Sequence, residues 1–150
     1  MRLEDELKQT KPFKDEFQKL ILNINVTSSY MNALFAEKLK PMGITPHQYN
    51  VLRILKGRYP ESYCNQEITQ RMIDKASNAT RIVDKLVEKK LVSRTENAQD
   101  RRLVNIKITQ QGLELLDAFN PSSSEPYASL KVLGEENARL MNAWLDQLRG

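Results

Sequence analysis

Between residues 13 and 39 apolar side chains recur every three or four positions, at Phe13, Phe17, Leu20, Ile21, Ile24, Met31, Leu34, Phe35 and Leu39. This spacing predicts one long amphipathic helix. Thr27, Ser28 and Ser29 interrupt its stripe and weaken the local propensity. Pro41 and Gly43 should end it by Lys40. The rest of a small domain can cover only part of so long an apolar face, so a second subunit is expected over the remainder. Thr45-Pro46-His47-Gln48 then reads as a helix start, with Thr45 as cap, Pro46 in the first turn and Gln48 completing a capping box. Tyr49, Val51, Leu52, Ile54 and Leu55 form the buried face of this helix, and Gly57 ends it. A short helix is expected from about Asn65 to Met72, with Ile68 and Met72 one turn apart.

A further helix is predicted from about Lys75 to Lys89, capped by Asp74. Ala79, Ile82, Val83, Leu86 and Val87 line one face, and Ser77, Asn78, Thr80, Arg81, Asp84 and Lys85 line the other. Leu91 to Thr95 and Leu103 to Ile108 read as two paired strands, the second alternating Val104, Ile106 and Ile108 with Asn105 and Lys107. Between them lies a polar, basic tip from Glu96 to Arg102. Thr109 should cap a helix through Leu113, Leu116 and Phe119. The Pro- and Ser-rich stretch from Asn120 to Pro126 breaks the chain. A last helix follows Gly134, with Ala138, Met141, Leu145 and Leu148 on one side and Trp144 beside them.

Helix, short helix, turn, polar-faced helix and basic-tipped hairpin is the plan of a winged helix-turn-helix. The plan suits DNA because a major groove about 12 Å wide admits one helix carrying donors and acceptors on its outer face. The expected fold is therefore mainly α with a small β-hairpin. It forms one domain over 1–150, with a winged helix-turn-helix lobe at about 45–108 and further helices at about 1–40 and 109–150.

Charge sharpens this picture. The chain carries a formal +4, yet the stretch from Lys75 to Lys107 alone holds nine Lys and Arg against four Asp and Glu. All the excess positive charge thus sits where the polar-faced helix and the hairpin lie, the electrostatic footprint of a polyanion partner. A solvated charged face is the bland alternative. Composition excludes much else. One Cys and one His allow neither an internal disulfide nor a four-ligand zinc site, and nucleophilic catalysis of the Ser-His or Cys-His kind would have to run through His47. The five glycines, at 43, 57, 112, 134 and 150, cannot build a phosphate loop or a dinucleotide fingerprint. No apolar run approaches the roughly 18 residues of a membrane span, and Met-Arg-Leu-Glu-Asp-Glu lacks a signal-peptide core. A cytoplasmic protein without catalytic activity, metal or cofactor is expected.

Two segments carry a family likeness: Asp74-Lys75-Ala76-Ser77-Asn78-Ala79-Thr80-Arg81-Ile82-Val83-Asp84-Lys85-Leu86, and Asp100-Arg101-Arg102 leading into Ile108-Thr109. Here the chain resembles the MarR (multiple antibiotic resistance regulator) family of bacterial transcription factors, closely so from about Thr45 to Phe119. Lys90 departs from the family, which often has Gly there, and so needs a left-handed or looser helix ending. The Asn120–Pro126 stretch is also more broken than the usual long helix. The resemblance implies a homodimer on double-stranded DNA, its terminal helices interlocked as a dimerisation region. It also implies a repressor whose DNA-reading lobes respond to a small-molecule effector. A DNA-binding or interaction module with no effector is the alternative.

Candidate contacts follow. Ser77, Asn78, Thr80 and Arg81 are the groove-facing candidates, although Ser77 could instead make a local bond in the first turn. Arg81 could meet a guanine edge or a phosphate. The resemblance sends the wing arginines Arg101 and Arg102 to DNA, Arg102 into the minor groove, with Asp100 orienting the tip; an Arg102–Asp100 ion pair is the structural alternative. Lys75, Lys85, Lys89 and Arg94 are expected phosphate contacts, with a solvated role open for Lys89. Cys64 reads as a small buried side chain or as a thiolate favoured by the following helix. His47 has an exposed or packing role by default. Tyr30, Phe35, Tyr49 and Phe119 could line a cleft between dimer region and lobe, or simply be core.

Overall fold

The computed structural model describes residues 1–97, 103–119 and 125–150. A short α1 (Leu3–Glu6) precedes the long α2 (Glu16–Leu39), and a 3-10 turn over Lys40–Met42 leads through a left-handed Gly43 into α3 (Pro46–Lys56). Then come α4 (Asn65–Arg71), α5 (Ala79–Glu88), strands β1 (Val92–Glu96) and β2 (Val104–Ile108), α6 (Gln110–Ala118), α7 (Glu125–Lys131) and α8 (Gly134–Arg149). The strands pair antiparallel with Val92 opposite Ile108 and Glu96 opposite Val104.

Local chemistry sets most of the boundaries. Thr45 and Gln48 form the expected reciprocal box at the start of α3. Thr109 Oγ1 accepts from Gly112 N to start α6. One expected start is corrected. The helix anticipated from Lys75 begins at Ala79, and its cap is Asn78, whose Oδ1 accepts from Arg81 N at 3.0 Å. Asp74 does not cap it. Its carboxylate closes a separate turn by accepting from Ala76 N (3.0 Å) and from Ser77 Oγ (2.6 Å). The structure also adds α1 and α7, which the hydrophobic pattern did not single out. At the N-terminus, Lys19 Nζ donates to Glu4 Oε1 at 2.6 Å, and chiefly that bond lowers the Glu4 carboxyl to about 2.

The far end of α5 closes as the sequence requires. Lys90 takes φ +62°, Lys90 N donates to Val87 O and Leu91 N to Leu86 O. This pair of bonds defines a Schellman ending. A Cβ in the left-handed region is costly where glycine is not. Lys90→Gly should therefore raise unfolding stability by about 1 kcal/mol, measured by urea denaturation with an unchanged slope.

One core holds the lobe together. Leu39 of α2, Val51, Leu52 and Leu55 of α3, Ile68 of α4, Val83 and Leu86 of α5, and Ile106 and Ile108 of β2 are all completely buried. Each such side chain contributes roughly 1.5–3 kcal/mol on leaving water. Phe35, Tyr49 and Phe119 pack edge-to-face in a triad, with centroids 5.2–5.9 Å apart, where α2, α3 and α6 meet. These aromatics pack against the core, while Tyr30 stands apart, more than half exposed.

Outside the lobe the apolar stripe is left bare. Along α2, Phe17 and Ile21 are 78% and 62% exposed; along α8, Trp144 and Leu148 are 59% and 67% exposed. A groove of about 970 Å³ runs between α2, α7 and α8, lined by Ile24, Met31, Leu130, Leu133, Met141 and Leu145 among others.

Candidate nucleic-acid interface

The geometry of α5 follows from its two faces. Ala79, Val83 and Leu86 are buried against α3, α4 and β1, so Thr80, Arg81, Lys85 and Glu88 stay on the solvent side. At its N-terminal end, α5 is held by a clamp from α3. His47 Nε2 lies 3.3 Å from Asp74 Oδ2, and Asn50 Oδ1 accepts from Ile73 N at 3.0 Å. Hydrogen bonds from the Ser77 hydroxyl first, then the Ala76 amide and His47, hold the Asp74 carboxyl below its ordinary range. The turn over 73–77 is thereby fixed to α3, and it sets where α5 begins.

The expected contact residues separate into two groups. Arg81 and Thr80 lie on the exposed face of α5, and Lys75 is exposed in the turn before it. Lys85 pairs with Glu88 at 2.9 Å on the same exposed face. Ser77 and Asn78 stand at the mouth of the helix, both making local bonds: the Ser77 hydroxyl to Asp74, the Asn78 carbonyl to Arg81 N. Lys89 and Arg94 bond other parts of the lobe, Lys89 while staying exposed. Lys89 Nζ donates to Gly43 O and to Gln48 Oε1, joining the end of α5 to the start of α3. The Arg94 guanidinium on β1 bonds Asp84 Oδ1 and, at 3.5 Å, the Thr80 carbonyl oxygen. Asp100, Arg101 and Arg102 lie outside the described residues.

Two features escaped the sequence reading. Tyr63 adds one rung of a third strand, exchanging two backbone bonds of 2.8–2.9 Å with Ile106. The guanidinium groups of Arg58 and Arg71 each lie 4.8 Å from its ring centroid. An aromatic residue ahead of the short helix, flanked by arginines, was the only sequence signal. The second feature is the His47 and Asn50 clamp. Cys64, expected as a small buried side chain or a thiolate ahead of the short helix, is half-buried in the N-cap position of α4, where Glu67 accepts from its backbone N–H at 2.9 Å. That bond, ahead of the ion pair with Arg58, lowers the Glu67 carboxyl. Among the described residues no cluster of His, Cys, Asp and Glu could hold a metal, and no helix is long and apolar enough to cross a membrane.

Two helices joined by a clamped turn, the second with a polar outer face, followed by an antiparallel hairpin, define a winged helix-turn-helix. Comparison with known proteins agrees. The MarR family model matches residues 44–104. The transcriptional repressor MdtR of Bacillus subtilis is 38% identical over 76 residues, 51% of this chain and 48% of its own length. The regulator MhqR of the same organism is 28% identical over 87% of this chain and 89% of its own. The structure of the Staphylococcus aureus MepR–DNA complex superposes with a TM-score of 0.75 at 26% identity, covering 91% of this chain and 97% of that one. Over residues 44–104 the chain matches the MarR family of transcriptional regulators.

Proposed function

We propose that the protein is a sequence-specific DNA-binding transcriptional regulator, a repressor that binds a pseudo-palindromic operator as a homodimer and is released by a small-molecule effector. One observation carries this reading. The outer face of α5 presents Thr80 and Arg81 to solvent, with no protein partner for the Arg81 guanidinium among the described residues, inside the stretch that holds all the chain's excess positive charge. The bare apolar faces of α2 and α8 support the dimer, since patches of that kind mark association surfaces. Under this reading the chain is one domain over 1–150, its lobe at about 45–108 flanked by dimerisation helices at about 1–40 and 109–150. It acts without catalysis, in the cytoplasm, where a bacterial chromosome lies.

The contacts divide by chemistry. Thr80 and Arg81 meet base edges, and Ser77 and Asn78 approach DNA at the helix mouth. Arg101 and Arg102 reach DNA from the wing, Arg102 in the minor groove, with Asp100 orienting the tip. Lys75 and Lys85 hold phosphates. Lys89 and Arg94 position α5, Lys89 through Gly43 and Gln48 and Arg94 through Asp84.

Salt titration of an operator selected from random DNA tests this division. Wild-type log affinity should fall linearly with log salt, by about 0.9 per phosphate neutralised. Arg102→Ala should cost about 1–3 kcal/mol, and Lys75→Ala should flatten the slope by about 1. Lys89→Met and Arg94→Met should weaken binding with the slope unchanged. An affinity indifferent to salt would overturn the reading.

A further inference from the structure

Ile73 is 88% exposed, far more than any other large apolar side chain in the described part of the lobe; Tyr59, next, is 46% exposed. It follows the buried C-cap residue of α4, Met72, and precedes Asp74 in the turn that delivers α5. Its own backbone N–H is bonded to Asn50 Oδ1, and the next residue is bonded to His47, Ala76 and Ser77. The side chain is thus held out in water by a turn fixed on both sides, and its β-branched shape leaves few rotamers to lose on binding. Ile73 lines neither apolar groove beside α2 and α8, so the surface that would cover a second subunit does not cover it.

Helix-turn-helix proteins place the N-terminal residues of the second helix against base edges in the major groove. The one apolar group on that surface is the C5-methyl of thymine. We propose that Ile73 packs on a thymine methyl and makes the protein select thymine at one position of each half-site. The proposal rests on the DNA-binding reading above and adds a specificity determinant that hydrogen-bonding residues do not supply.

The test removes the methyl from each side in turn. Each thymine of the selected operator is replaced singly by deoxyuridine, and affinities are measured at fixed salt for the wild type and for Ile73→Ala. Because Ile73 contributes no core packing, the variant should fold and melt as the wild type does. At one thymine position, repeated by the two-fold symmetry, deoxyuridine should weaken wild-type binding about four-fold, the value of one buried methyl. Ile73→Ala should not respond to deoxyuridine at that position, and should respond as the wild type does at all others. Equal responses of both proteins at every position would overturn the proposal and leave DNA binding standing, as would a selected operator with no symmetric thymine. Failure to select any sequence would overturn the DNA-binding reading and this proposal together.

Discussion

Ile21→Lys should turn the protein into a monomer and lower its operator affinity by two to four orders of magnitude. Ile21 is 62% exposed in the middle of the bare stripe on α2, so the isolated chain loses little when it is replaced. A partner's α2 or α8 would bring apolar side chains such as Trp144 or Leu148 against it, and an ammonium buried there without a counter-charge destabilises the pairing by several kcal/mol. The effect on DNA is larger than any single contact could produce. Two lobes joined in one particle bind their half-sites as if the second were present at millimolar concentration, and separating them forfeits on the order of 10²–10⁴ in affinity. Sedimentation together with operator titration checks both halves of the expectation, with circular dichroism reporting an unchanged helix content. A variant that stays dimeric would place the subunit contact elsewhere.

The features legible in the sequence are those whose partners lie close along the chain. The box at Thr45 and Gln48 and the cap at Thr109 each need residues only three apart, and both are present. The ending at Lys90 is legible through the resemblance to a family that often has Gly there; of the left-handed and looser endings this leaves open, the chain takes the left-handed one. Asp74 shows where local reading fails. Both Asp74 and Asn78 are good caps, and nothing within a few residues chooses between them. The choice is made from α3, by His47 and Asn50, which lie 27 and 23 positions away from their partners. The bonds of Arg94 and Lys89 lie beyond local reading for the same reason. Their partners, Asp84, Gly43 and Gln48, come together only once β1 and α3 pack on α5. Charge in a sequence locates a surface; the packing then decides which of its cations face outward.

Gly112→Ala should lower stability by about 3 kcal/mol, the upper end of what overpacking costs. Gly112 sits in the first turn of α6, buried between Ile108 at the end of β2 and Leu91 just before β1. A β-carbon there would lie 2.4 Å from the Leu91 carbonyl oxygen and 2.7 Å from Ile108 Cγ1. Either contact is shorter than carbon tolerates, but they differ in how they can relax. The Ile108 side chain can turn or shorten. The Leu91 carbonyl cannot, because it accepts from Thr109 N at 3.1 Å and lies beside the Schellman ending of α5. Relief must therefore come from moving α6 away from the root of the hairpin, which loosens the packing of Leu116 and Ile108 together. Ile108→Val in the same chain should recover little, because it removes only Cδ1, 3.3 Å away, and keeps a γ-carbon where Cγ1 stands. Thermal melting at fixed protein concentration should show a fall in Tm of roughly 5 °C or more. Operator binding at a temperature where the variant is still folded should weaken as well, because the strand that carries the wing leaves from the same point. An alanine accepted there without loss would mean that α6 does not seat on Leu91 and Ile108 in solution.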